Sequence, residues 1–163
     1  MIEHLRGTLD VKTPALVVVD CHGVGYGLSV PLSTYERLPD SGATVRLYTW
    51  LSVREDAHRL FGFHTQEERA LFRALIGVTG VGPTVALAIL SSVPPSAFRA
   101  AVLAGDAARL RGIRGVGKRL SERLVVELKD VIGSVPDALP GQPASRGEAA
   151  LRDAALALEK MGF

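Results

Sequence analysis

Thr79-Gly80-Val81-Gly82-Pro83-Thr84-Val85-Ala86 and Arg114-Gly115-Val116-Gly117-Lys118-Arg119-Leu120-Ser121 carry the same G-V-G triplet 35 residues apart in a chain of 163. Apolar residues at helical spacing flank both copies, so each triplet is expected to join two helices as a helix-hairpin-helix turn. The first glycine can pass through positive φ, and the valine can plug the space between the helices. The second glycine leaves the next helix start without a Cβ, so its backbone N–H groups can approach an anion. Pro83 suits the first turn of the helix it opens. One copy alone is equally well explained as a tight turn chosen for sterics. Two copies place two anion sites on one backbone, and a phosphate fits them without any reading of the base.

Charge follows the same division of the chain. The net charge of +2 hides an uneven split: Met1 to His64 hold six basic and seven acidic residues, Thr65 to Gly133 ten and six, and Ser134 to Phe163 three and four. Arg109, Arg111, Arg114, Lys118, Arg119 and Arg123 crowd around the second triplet and would supply long-range attraction for a polyanion.

Working outward, Gln66-Glu67-Glu68 offers acidic residues for a first helical turn, and Leu71, Leu75 and Ile76 fall on one face. Residues 65–133 are therefore expected to be one helical unit, with helix continuing to about Ile132. Residues 1–64 read differently. Ile2 to Leu9, Ala15 to Cys21, Gly25 to Val30, Ala43 to Val53 and Ala57 to Phe63 alternate apolar and polar between turn formers such as Thr13-Pro14, Gly23 and Asp40-Ser41-Gly42. Five short antiparallel strands close most economically as a small barrel of the oligonucleotide-binding type, which removes exposed edges. The fold class is thus α+β and multidomain. Residues 134–147, with three prolines and two glycines, read as a flexible linker, and 148–163 as a short amphipathic helix that would be marginal alone.

Other chemistries fit poorly. Gly112 to Lys118 matches the G-x-x-x-x-G-K frame of a phosphate-binding loop, but Arg119 stands where Ser or Thr should ligate magnesium, and Ala107 to Arg111 reads as helix instead of a buried strand. No intrinsic ATPase activity and no cofactor are expected. His4, His22, His58 and His64 lack ligand spacing, and the single Cys21 allows no internal disulfide and suits a reducing cytoplasm. Tyr26, Tyr48 and Trp50 could stack bases, but core or subunit packing suits them better. The longest apolar run, Val85 to Leu90, is far short of a membrane span.

The chain resembles the RuvA family of Holliday-junction-binding subunits. The resemblance rests on I-E-H-L-R-G-T-L at Ile2, V-R-E-D-A-H-R-L-F-G-F at Val53, E-R-A-L-F-R-A-L-I at Glu68, both G-V-G hairpins, and S-E-R-L-V-V-E-L-K-D at Ser121. It implies a barrel, a tandem hairpin domain, and a third small domain that docks on the RuvB motor, with ATP hydrolysis left to RuvB. It also implies a four-fold tetramer, or two tetramers face to face, on the four arms of the junction. RuvC resolvase is a further implied partner, and the setting is recombination, DNA repair and the SOS response. DNA contact would fall on Gly80, Val81, Gly82, Thr84, Gly115, Val116, Gly117, Lys118, Arg119 and Arg123.

Taken alone, Glu55-Asp56 is an acidic pair at a hairpin tip. The resemblance makes it an acidic pin at the tetramer centre, repelling phosphates at the crossover. Two departures stand out: Pro83-Thr84 where many relatives carry lysine, and a last helix, Glu148 to Met161, that matches only the first helix of the motor-docking domain. A general hairpin-containing duplex binder, such as an accessory domain of a repair nuclease, is the reading from another class.

Overall fold

A computed structural model of the chain describes residues 1–133. The expected linker and final helix, residues 134–163, lie outside the described residues. Five strands, β1 (His4–Lys12), β2 (Leu16–Cys21), β3 (Val24–Ser29), β4 (Thr44–Val53) and β5 (His58–Phe63), close into a barrel in the order β1-β2-β3-β5-β4. Leu5, Leu9, Val17, Val19, Leu28, Val45 and Leu47 fill it, as the alternation along the strands requires.

The barrel departs from the purely antiparallel set expected from sequence. β3 and β5 run parallel, Leu28 facing Leu60 and Ser29 facing Phe61. A parallel pair cannot be joined by a tight hairpin, and part of the connection is a six-residue helix, α1 (Leu32–Arg37), which the strand pattern did not announce. β1 also runs on to Lys12 instead of ending near Leu9, because a bulge between Leu9 and Val11 resets the register against β2 and breaks the alternation. His22 and Gly23, both at positive φ, form the two-residue turn between β2 and β3.

Helices follow: α2 (Gln66–Ile76), α3 (Pro83–Ser92), α4 (Pro95–Leu103), α5 (Ala107–Leu110) and α6 (Lys118–Gly133). Thr65 opens α2 with a reciprocal capping box to Glu68, which satisfies two backbone donors at the helix start.

Barrel and helices share one apolar core. Phe61 and Phe63 of β5 belong to the same buried cluster as Leu71, Phe72 and Leu75 of α2 and the valines of both G-V-G turns. Phe72 stands at the junction, its ring centroid 5.1 Å from Phe61, 4.9 Å from Phe63 and 5.6 Å from Trp50. Trp50 and Tyr48 pack against this cluster and Tyr26 against the barrel interior, in keeping with the packing role expected of them.

Polar ties reinforce the seam. Arg69 donates to the carboxylate and backbone carbonyl of Glu3 at 2.7 and 2.9 Å. The Leu32 N–H donates to Ser91 Oγ at 2.9 Å, joining α1 to α3. Glu68, 1% exposed, accepts from Ser33, Thr34 and two backbone N–H groups.

Candidate nucleic-acid interface

The two G-V-G segments repeat each other in hydrogen bonding as well as in sequence. In the first, Val78 N–H donates to Leu75 O, Val81 N–H to Val78 O, and Ala86 N–H to Gly82 O. In the second, Ile113 donates to Leu110, Val116 to Ile113, and Ser121 to Gly117. Gly80 and Gly115 take φ of 90° and 86°, a region that a side chain makes strained. Val81 and Val116 are buried, at 6% and 4% exposure, in the shared helical core. Each residue type therefore does the structural work anticipated of it: turn, plug and uncrowded helix start.

The helix starts differ in what they offer. The ladder of α3 begins with Ala86, so the N–H groups of Gly82, Thr84 and Val85 have no intrahelical acceptor. Proline at 83 has no N–H, so this end is one donor short. At α6 the ladder begins with Ser121, leaving Gly117, Lys118, Arg119 and Leu120 N–H groups outward. A cation at that start stands against the helix dipole. Lys118 and Arg119 are therefore poorly placed for helix stability, and a bound anion would relieve the conflict. No Cβ built at Gly82 or Gly117 meets an atom within 4 Å, so space is open in front of both.

Side chains around the second turn divide into two sets. Arg114, Lys118 and Arg119 are exposed, and their side chains have no ion pair or hydrogen bond among the described residues. Arg111 lies 3.5 Å from Glu122. Arg123 does not stand with the unpaired cations. Its Nη1 donates to Thr79 O of the first turn at 3.0 Å, and its Nε lies 3.7 Å from Glu127. Thr84 is exposed beside the first helix start, with its hydroxyl available to an external acceptor.

Glu55 and Asp56 are exposed at the β4–β5 tip, closed by an Arg54 N–H to Ala57 O bond of 2.9 Å. The G-x-x-x-x-G-K segment follows α5, not a strand, and its lysine opens α6. Among the described residues no group of His, Cys, Asp or Glu is arranged to hold a metal, and no single helix is long and apolar enough to cross a membrane.

Comparison with known proteins follows the same division. Residues 1–62 match the RuvA N terminal domain and residues 72–130 the SAM-like Helix-hairpin-helix tandem. The chain is 47% identical to the Holliday junction branch migration complex subunit RuvA of Thioalkalivibrio sulfidiphilus, over 100% of this chain and 84% of that relative. It is 49% identical to the protein of that name from Symbiobacterium thermophilum, over 100% and 82%. For Methylococcus capsulatus the figure is 50%, over 86% and 70%. A closed five-stranded barrel followed by paired G-V-G hairpins, with identity of this extent along the whole sequence, places the chain in the RuvA family.

Proposed function

We propose that this chain binds four-way DNA junctions as the non-catalytic subunit of a branch migration complex, by structure and not by sequence. The observation that carries the reading is the pair of equivalent turns, each presenting unpaired N–H groups at an open helix start. Such groups hold phosphates, and phosphate contacts position a duplex without specifying bases. Residues 1–64 act as the barrel unit carrying the acidic pin and 65–133 as the arm-holding unit. The turns contribute Gly80, Val81, Gly82 and Thr84 on one side and Gly115, Val116, Gly117, Lys118 and Arg119 on the other. Arg123 joins them indirectly. Partners in this reading are RuvB, which would hydrolyse the ATP, RuvC, and further copies of the chain in a tetramer or paired tetramers in the cytoplasm. The complex-subunit name borne by the relatives and the absence of a strand before Gly112 support it.

A gel shift comparing a four-way junction with linear duplex of the same sequence tests the proposal. The junction should bind more tightly; equal affinity would leave the general duplex binder as the better reading.

Unequal turns imply unequal contributions. Lys118→Ala should weaken junction binding about tenfold and lower the slope of log affinity against log salt by about 0.9, the signature of one lost phosphate contact. Thr84→Ala should cost less, since only a hydroxyl is removed. Matching losses in the two variants would show that amides, not side chains, dominate.

The pin makes a separate prediction. Glu55→Gln combined with Asp56→Asn removes negative charge from a tip meant to face phosphates, so junction binding should hold or tighten while the branch migration rate with RuvB changes. Clear weakening of binding would count against the pin.

A further inference from the structure

Two anion sites on one duplex must keep a fixed separation, and the described residues join the two turns directly in two places. Val85 of α3 reaches across to the second turn, its Cγ2 3.7 Å from where a Cβ on Gly115 would sit. Arg123 of α6 reaches back to the first, donating to the carbonyl of Thr79, 44 residues earlier in the chain. Its Nη1 also lies 3.8 Å from where a Cβ on Gly80 would sit. Glu127, one helical turn further on, takes up the Nε side at 3.7 Å. The guanidinium is thus committed at two edges to protein acceptors, one of them the peptide that leads into the Gly80 turn.

We propose that Arg123 is a positioning residue, a strut that fixes the separation and orientation of the two anion sites without itself serving as the phosphate ligand. The inference rests on the reading that the turns hold phosphates. Arginine suits the task because its planar fork can donate to a carbonyl and a carboxylate at once, whereas the ammonium of lysine is a flexible point charge. A direct phosphate contact would tolerate that exchange far better. Burial does not hold Arg123 in place, since about half of its side chain is accessible. The hydrogen bond and the ion pair must orient it.

Arg123→Lys and Arg123→Gln separate the two roles. Binding of a four-way junction should fall about tenfold in both variants, the lysine variant losing as much as the glutamine variant. Amide hydrogen exchange in the DNA-free protein should quicken at Val81, whose N–H is bonded to Val78 O at 3.0 Å, and stay unchanged at Phe98, bonded to Pro94 O at 3.0 Å on α4. Wild-type affinity in Arg123→Lys would overturn the strut and return Arg123 to the phosphate ligands. Unchanged exchange at Val81 would also overturn it, as would equal acceleration at Phe98, which would make Arg123 a support of the whole helical unit. Binding by the wild-type protein that does not respond to salt would instead defeat the phosphate reading, leaving the exchange data to judge the strut alone.

Discussion

Phe72→Ala should lower the free energy of unfolding by about 3–5 kcal/mol, the range for removing a buried aromatic ring and leaving its cavity. Phe72 is fully buried and contacts three rings, two of them on β5 and one on β4. The surrounding residues come from a closed barrel on one side and packed helices on the other, so neither side can collapse easily into the void. Phe72→Leu keeps most of the volume and should lose less than about 1.5 kcal/mol. Chemical denaturation followed by Trp50 fluorescence reports the transition directly, because that indole lies against the ring being removed. A loss below about 1 kcal/mol would show that barrel and helices stabilise themselves separately. The functional consequence is distinct from the stability loss. Glu55-Asp56 extends from the barrel and the G-V-G turns from the helices, so a loosened seam should blur their relative placement even in molecules that remain folded.

What the sequence disclosed depended on whether each feature has a local signature. Gly80 and Gly115 were legible because positive φ selects glycine, and Val81 and Val116 because a single apolar residue between two glycines has few other uses. The strands showed in their alternation, and the acidic tip in its place between two of them. The parallel seam between β3 and β5 had no such mark. It depends on a crossover that includes α1, whose Leu32-Ser33-Thr34-Tyr35-Glu36-Arg37 has no apolar period and buries Thr34 completely. Arg123 read as one cation among several near the second turn, but its acceptor is on the first, and nothing in the spacing of charges could reveal that. Glu68 misled for the same reason: two acids at a helix start look like solvated partners of the dipole, and one of them is among the most buried residues in the chain.

Glu68→Ala should destabilise the protein by about 3 kcal/mol, more than an N-terminal helix acid ordinarily contributes. Its Oε1 accepts from Ser33 Oγ at 2.7 Å, and its Oε2 accepts from Thr34 Oγ1 at 2.9 Å and from the His64 and Thr65 N–H groups at 3.0 and 3.4 Å. Those donors belong to α1 and to the chain between β5 and α2, so one carboxylate joins the barrel's crossover helix to the first helix of the hairpin unit. Truncation removes the acceptors but leaves the donors in a site that holds little water, and unsatisfied buried donors are costly. Glu68→Gln discriminates the charge from the shape. The amide fills the same space with one acceptor oxygen, but its NH₂ would face at least one donor, so a loss of about 1–2 kcal/mol is expected. Urea midpoints for the three proteins measure both steps. If Glu68→Ala fell within about 0.5 kcal/mol of wild type, the carboxylate would be an ordinary cap, and the barrel and hairpin unit would be held together by the aromatic contacts of Phe72 and the clasp of Arg69 on Glu3.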